Sequence, residues 1–246
     1  MNPIVIIPAR LAASRLPGKP LALIGGVPMI VHVWRRAVEA DLGPVIVACG
    51  DHAIARAVED HVNGFAQMTD PDLPSGSDRV HAALELIDPT GAYDVVVNLQ
   101  GDLPDLPPAH LRAVLAPLAD PACDIATLVA PIGTAQEAAA NSVVKAVCAF
   151  GPGQTTARAL YFSRAAVPWG EGPLWHHIGI YAYRRAALAR FVALPVSPLE
   201  RRERLEQLRA LEAGMVIGVA QVDHAPFGVD TPEDLARARS RHETVA

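Results

Sequence analysis

IVIIPARLAASRLPGKPL, residues 4–21, is the stretch from which the rest of the chain is read. Ile4 to Ile7 form a short unbroken apolar run closed by Pro8, the pattern of a strand buried on both faces. The segment that follows changes character. Arg10, Arg15 and Lys19 fall within ten positions, with Gly18 beside the lysine. Cations on a loop at a strand's carboxyl end can neutralise a triphosphate, and a glycine lets the backbone approach it closely. Lysine brings a compact charge on a flexible stem and arginine a planar fork, so the two are not equivalent here. The loop is not a Walker motif, because its spacing differs and Pro20 stands where a Ser or Thr would hold magnesium. It is not GxGxxG either, which disfavours a dinucleotide dehydrogenase. On composition alone the same residues also suit a solvated surface loop.

Outward from this stretch, buried-strand patterns recur at Val45–Ala48, Tyr93–Leu99 and Ile125–Ala130. Helical patterns lie between them. Pro28 to Ala40 puts Met29, Ile30, Val33, Trp34 and Ala37 on one stripe. Asp51 is expected to cap a helix through Val62, and Ser77 or Asp78 one through Ile87. Residues 131–177 are less regular, with a strand at Ser142–Phe150 and an arm around Tyr161–Trp169, and read as a small lobe or dimer contact. Ile178–Tyr183 and Met215–Gln221 return as strands, Pro198–Ala213 reads as one helix, and Thr231–His242 closes the chain as another. Alternating strands and helices predict an α/β fold, a mostly parallel central sheet with helices on both faces, in a single domain spanning 1–246. Ligands of such sheets bind beyond the strands' carboxyl ends.

Composition narrows the function. A net charge of −5 argues against general nucleic-acid binding, so any attraction for phosphate must be local. Cys49, Cys123 and Cys148 are few and widely spaced, without a CxxC pair, which points away from disulfides and zinc knuckles and towards a cytoplasmic setting. The opening MNPIVIIPAR has no basic region before its short apolar run, and no stretch approaches the roughly 20 apolar residues of a membrane span. Lysine occurs only at Lys19 and Lys145, in a chain that otherwise uses arginine. The sequence gives no reason beyond chance for Lys145.

Two acidic positions then stand out. The strand ending at Leu99 runs into Gln100-Gly101-Asp102, at the edge where ligands are expected. Much later come Gly228-Val229-Asp230-Thr231-Pro232-Glu233-Asp234, where Thr231 and Asp234 make a capping-box-like helix start. Asp230 has two readings. It helps cap that helix, or it joins Asp102 as an oxygen ligand to Mg²⁺, which usually takes one or two carboxylates plus substrate phosphates.

The ordered set IIPARLAASRLPGKPL, PMIVHVWRRA, SGSDRV, NLQGD, YFSRAAVPW, HIGIYAYR, SPLERRERLEQLRALEAG and GVDTPEDL resembles the 3-deoxy-manno-octulosonate (Kdo) cytidylyltransferase family over nearly the whole length. The resemblance implies a Rossmann-like nucleotidyltransferase fold, a homodimer with a small dimerisation and sugar-binding lobe, and a role in lipopolysaccharide biosynthesis. It implies that Arg10, Arg15 and Lys19 hold the CTP phosphates, that Ser77, Arg79 and Gln100 lie near the cytidine, and that Asp102 and Asp230 bind magnesium. Lys19, Asp102 and Asp230 are then the catalytic set. Arg164, His177, Tyr181, Glu206 and Gln207 would face the sugar, with Arg and His toward its carboxylate and Glu and Gln toward its hydroxyls.

Three departures from the family pattern bear on the sugar. Leu103 follows Asp102 where Glu is usual, the stretch Trp169–His176 is short, and His176 stands where Arg is expected. They leave the CTP side intact and keep an 8-amino variant of Kdo, or another acidic sugar, open as the acceptor. A non-catalytic nucleotide-binding homologue is the reading from a different class.

Overall fold

A computed structural model gives residues 1–12 and 16–245, with the side chains of 243–245 outside the described set. The described residues divide into two compact units, 1–108 with 226–246 and 109–225.

The first unit opens with β1 (Pro3–Ala9), in which Ile4 to Ile7 are at most 1% exposed. A 3-10 turn at Lys19–Leu21 leads into the short hairpin β2 (Leu23–Ile24) and β3 (Val27–Pro28). Then come α1 (Met29–Glu39), β4 (Val45–Cys49), α2 (His52–Val62), β5 (Phe65–Met68), α3 (Gly76–Ile87) and β6 (Val95–Asn98). The strands lie in the order β5-β4-β1-β6, every neighbouring pair parallel. The apolar stripe foreseen on α1 is buried at Met29, Ile30, Val33 and Ala37, with Trp34 at its margin.

Two caps differ from expectation. Ser75, not Ser77 or Asp78, starts α3, its Oγ accepting the Asp78 N–H at 3.1 Å. Asp51 stands at the head of α2 but makes no side-chain cap. Its carboxylate instead accepts the backbone N–H of Leu11 at 3.0 Å, so it anchors the cationic loop.

The second unit contains α4 (Pro108–Ala113), β7 (Ile125–Pro131), α5 (Ala135–Ala139), β8 (Lys145–Cys148), β9 (Thr156–Ser163), β10 (Trp175–Arg184), α6 (Arg185–Val192), α7 (Pro198–Glu203), α8 (Gln207–Glu212) and β11 (Ile217–Gln221). Its strands run in the order β10-β7-β11-β9-β8. β7 and β11 pair in parallel, whereas β10 with β7, β11 with β9 and β8 with β9 pair antiparallel. The chain returns to the first unit for α9 (Pro232–Val245).

The helix expected across Pro198–Ala213 is interrupted. Ser197 and Glu200 form a reciprocal capping box that starts α7, and Arg204 ends it in the left-handed region at φ 57°. The break brings Arg209 of α8 onto Glu200 of α7, at 2.7 and 2.8 Å through two guanidinium nitrogens. A fork-on-carboxylate pair this buried is held by its geometry, since either charge left alone would be poorly solvated.

Lys145 also acquires a reason. It is 0% exposed, and its ammonium donates to the carbonyls of Ala140, Val143 and Arg164 at 3.0, 2.7 and 2.7 Å. Three acceptors around a point suit the rotatable N–H groups of an ammonium, not a planar fork. Burial pushes its pKa down, as does the nearby Arg164 charge. Lys145→Met should therefore lower unfolding stability by about 3 kcal/mol, because the carbonyls lose their donor. Lys145→Arg should not restore it. Urea unfolding midpoints measure both, and an unchanged midpoint in the Met variant would contradict the assignment.

Candidate active site

The first unit carries a cavity of about 310 Å³ beyond the carboxyl ends of β1 and β6. Pro8, Ala9 and Arg10 from the end of β1, and Gln100, Gly101 and Asp102 just past β6, form part of its wall. Lys19, Arg79 and Asp230 complete its charged lining. Gly101 suits the close approach of these segments, since a Cβ there would lie 3.3 Å from the Pro8 carbonyl oxygen, a tight contact.

Three of the lining side chains form an ionic triplet. Lys19 Nζ donates to Asp102 Oδ2 at 2.8 Å and to Asp230 Oδ1 at 3.0 Å. The Lys19 side chain is 17% exposed, against 27% and 46% for Asp102 and Asp230. Burial works to lower the lysine pKa, but the two carboxylates outweigh it and the net shift is upward. Lys19 is thus held fully charged between them.

Local structure places each member. Gly18 adopts φ +70°, which favours glycine, and heads the 3-10 turn bearing Lys19. Asp102 lies just past β6, and its backbone carbonyl accepts the Val229 N–H at 2.9 Å. That bond pins the residue before Asp230 directly to Asp102. Val229 is 0% exposed and packs with Ile24, Met29, Leu235 and Ala238, with Leu16 and Ala22 at the margin. One apolar cluster therefore joins the lysine turn to the Asp230 segment.

The two readings of Asp230 are separated by its neighbours. Thr231 Oγ1 accepts the Asp234 N–H at 3.2 Å, and Asp234 Oδ2 accepts the N–H groups of Thr231 and Asp230 at 3.0 and 3.1 Å. Thr231 and Asp234 cap α9, which leaves the Asp230 carboxylate directed at Lys19. The resulting donor set, two hard carboxylate oxygens gathered on one cationic point and partly open to solvent, is of the kind Mg²⁺ takes.

Arg10 and Gln100 line the same cavity, and Gln100 Nε2 donates to Asn98 Oδ1 at 3.2 Å. Arg79 is 2% exposed and spends its guanidinium on Thr69 Oγ1 and the carbonyls of Asp70 and Pro71. Burial lowers its pKa first, then the charge of Arg10. Ser77 is 3% exposed within α3, while Ser75 and Gly76 take its expected place in the lining. Arg15 lies outside the described residues. Leu103 is 8% exposed, with a methyl 3.6 Å from where a Cβ on Gly228 would stand, so it packs under the Asp230 segment.

The residues expected to face the sugar all belong to the second unit. Arg164 reaches the carbonyls of Glu203, Asn141 and Arg204 at 2.8, 3.0 and 3.3 Å, so much of its fork is committed to backbone. His177 and Tyr181 flank a β-bulge in β10, between Ile178 and Tyr181. Thr127 Oγ1 lies 3.1 Å from His177 Nε2 and near the carbonyls of Ile178 and Ile180, at 3.0 and 2.8 Å. Tyr181 is 5.6 Å from His177, centroid to centroid, and its pKa is raised by burial first, then by Tyr183 and Glu206. Glu206 lies 3.5 Å from Arg209, the helical pairing its spacing allows. Gln207 is 6% exposed, and its Nε2 has no hydrogen-bond partner among the described residues. Sequence reasoning missed Thr127, Ser75 and Asp51; Thr127 and Asp51 sit in no motif that separates them from ordinary strand or cap residues, and Ser75 opens SGSDRV, in which the resemblance points to Ser77 instead. His176 meets Glu137 at 3.0 Å.

The comparisons with known proteins agree with this architecture. A family model described as cytidylyltransferase matches residues 4–217. A 3-deoxy-manno-octulosonate cytidylyltransferase of Rhodospirillum centenum is 64% identical over 97% of this chain and 93% of its own length. One from Paramagnetospirillum magneticum is 60% identical, over 98% and 97%. A solved CMP:2-keto-3-deoxy-manno-octonic acid synthetase complexed with CTP superposes with a TM-score of 0.91 at 38% identity, covering 100% of both chains. A nucleotidyl transferase from Methanothermobacter, at 15% identity and a TM-score of 0.60, shares the fold alone. Fold and site thus define a cytidylyltransferase. The chain belongs to the 3-deoxy-manno-octulosonate cytidylyltransferase family.

His177 gives a prediction about stability. Burial, then the charge of His176, pushes its pKa from 6.5 to about 3. Folded His177 binds fewer protons than unfolded His177 between those values, so stability rises with pH across that window and is lost as pH falls through it. His177→Gln should flatten this dependence, measured as the slope of unfolding free energy against pH. An identical slope in both proteins would show that His177 is not the group responsible.

Proposed function

We propose that this chain transfers CMP from CTP to 3-deoxy-D-manno-octulosonate, releasing pyrophosphate, in lipopolysaccharide biosynthesis. The observation that carries the reading is the convergence of Asp102 and Asp230 on Lys19 inside the cavity. The relatives' activity and the CTP held by the matching synthetase support the same substrate pair. The whole chain, 1–246, acts in this reading as one nucleotidyltransferase domain. A homodimer in the cytoplasm belongs to the same proposal and is supported by the family likeness.

The reaction joins the sugar's anomeric oxygen to the α-phosphorus of CTP and breaks the bond to pyrophosphate. The hydroxyl proton leaves to solvent or to the departing phosphate. Such a displacement needs alignment and charge neutralisation more than a covalent enzyme intermediate. Asp102 and Asp230 would hold magnesium, which when bound neutralises phosphate charge and acidifies a coordinated hydroxyl. Lys19, gathered with the carboxylates, and Arg10 offset the charge that develops on the leaving pyrophosphate. Arg15 joins them in this proposal, as does Ser77 beside the cytidine. Arg79 lines the cavity itself and is held there by the loop 69–71, so its contribution is to the shape of the wall. Gln100, whose amide donates to Asn98 Oδ1, lines the cavity beside the nucleotide in this proposal.

On the sugar side, a neutral His177 and Tyr181 are proposed as hydrogen-bond partners and not as charges, because burial keeps both uncharged. Arg164 is left to offer positive charge to the sugar carboxylate. Gln207 brings an unsatisfied buried donor, which a sugar hydroxyl would satisfy, and Glu206 accepts a second.

Pyrophosphate release with CTP and Mg²⁺ tests the assignment, using Kdo, 8-amino-Kdo and a sialic acid as acceptors. Kdo should give the highest kcat/KM and yield a CMP-sugar; no CMP-sugar from any acceptor would refute the reading. Asp102→Asn should reduce turnover at least about 10³-fold with circular dichroism unchanged, since it removes a group that acts in the transition state. Activity near that of the unaltered enzyme would remove Asp102 from the catalytic set.

A further inference from the structure

The second unit holds a separate convergence of side chains that the transfer reaction does not use. His110 lies on α4, and Asp223 and His224 follow β11. His110 Nε2 is 2.8 Å from Asp223 Oδ1, and His224 Nδ1 is 2.9 Å from the same oxygen. The backbone N–H of His224 reaches it too, at 3.0 Å. One carboxylate oxygen is therefore faced by three nitrogens. The imidazole centroids are 4.9 Å apart and the rings cross at 62°, so the two approach the oxygen from different directions.

We propose that His110, Asp223 and His224 form a binding site for a divalent transition-metal ion of the zinc class, distinct from the Asp102–Asp230 pair and independent of the function proposed above. One ligand atom from each residue can be chosen so that all lie within 4.8 Å of one another. Donors about 2.0–2.1 Å from a tetrahedral ion are spaced roughly 3.3 Å apart. The 2.8 and 2.9 Å separations sit just below that spacing, so small side-chain rotations open the three residues onto one ion. Two imidazole nitrogens with one carboxylate oxygen form a zinc, cobalt or nickel donor set; magnesium and calcium prefer oxygen alone.

Burial divides the labour among the ligands. The His110 side chain is 6% exposed and fixed on its helix, while Asp223 and His224 are 77% and 59% exposed. One ligand is preset and two stand open to the arriving ion. His110 Nδ1 is buried without a hydrogen-bond partner among the described residues. It carries a bare lone pair when Nε2–H donates to Asp223, and the ring proton when Nε2 binds metal. The atom goes unsatisfied in both states, at greater cost as a buried N–H than as a lone pair, so the preset Nε2 and the two exposed ligands must carry the affinity. Coordination would tie the start of the second unit, at His110, to its last residues before Pro226, and so stabilise that unit by mass action.

Calorimetric titration of the EDTA-treated full chain with Zn²⁺, in excess Mg²⁺, tests the site. The unaltered protein and Asp102→Asn should each show one saturable uptake together with a zinc-dependent rise in Tm. His224→Ala, at an exposed position, should bind zinc more weakly by about tenfold or more, because even outer-shell changes cost about 10–100-fold. It should also lose the visible bands of four-coordinate Co²⁺ while keeping CMP transfer. No zinc uptake by the unaltered protein, equal uptake by His224→Ala, or loss of uptake only in Asp102→Asn would overturn the proposal.

Discussion

Lys19 sits against two carboxylates that belong to segments more than a hundred residues apart, at 2.8 and 3.0 Å. Like charges brought this close repel, and partial burial weakens the water that would screen them. The ammonium relieves that repulsion, and the carboxylates in turn keep the ammonium charged despite its burial. The wall of the cavity thereby gathers one ammonium and two carboxylates on one small patch. A lone carboxylate at either position would offer a far weaker ligand set.

The convergence is not left to the side chains. The backbone bond from Val229 to the Asp102 carbonyl fixes the two acidic segments at main-chain level, where no rotamer can undo it. The apolar cluster around Val229, Met29 and Leu235 ties the same segment to the lysine turn. Phe227, two residues earlier in that cluster, lies beneath the guanidinium groups of Arg237 and Arg241, 5.2 and 4.4 Å from the ring centre. Thr231 and Asp234 then satisfy the first N–H groups of α9, so that Asp230 need not. Each support is ordinary, and together they fix the direction of one carboxylate.

Much of this was legible in the sequence because it rests on local pattern. Unbroken apolar runs at Ile4–Ile7 and Val95–Val97 are short, rich in β-branched residues and buried, which reads as strand, and the polar residues that follow then fall at the ligand edge. The pairing of Asp102 with Asp230 was reached by chemistry and likeness together. Less legible were features set by tertiary contact. The cap of α3 moved to Ser75 because Ser75, Ser77 and Asp78 are chemically alike as caps, and only the path of the chain chooses among them. Asp51 left its cap for Leu11, a partner forty residues away that local sequence does not reveal. Arg204 broke the expected long helix by taking a left-handed conformation that an arginine rarely adopts. Lys145 looked incidental because its acceptors are backbone carbonyls, which carry no sequence signature.

The central claim is that two distant acidic side chains act as one cation-binding unit. A double-mutant cycle on divalent-ion affinity tests it most directly, with Mn²⁺ binding in the presence of CTP measured for the unaltered protein, Asp102→Asn, Asp230→Asn and the double variant. If both carboxylates grip the same ion, the second substitution should cost far less than the first, giving a coupling well outside the ~0.5 kcal/mol expected of independent sites. Losses that simply add would mean the two groups serve different ions or none, and would contradict the account.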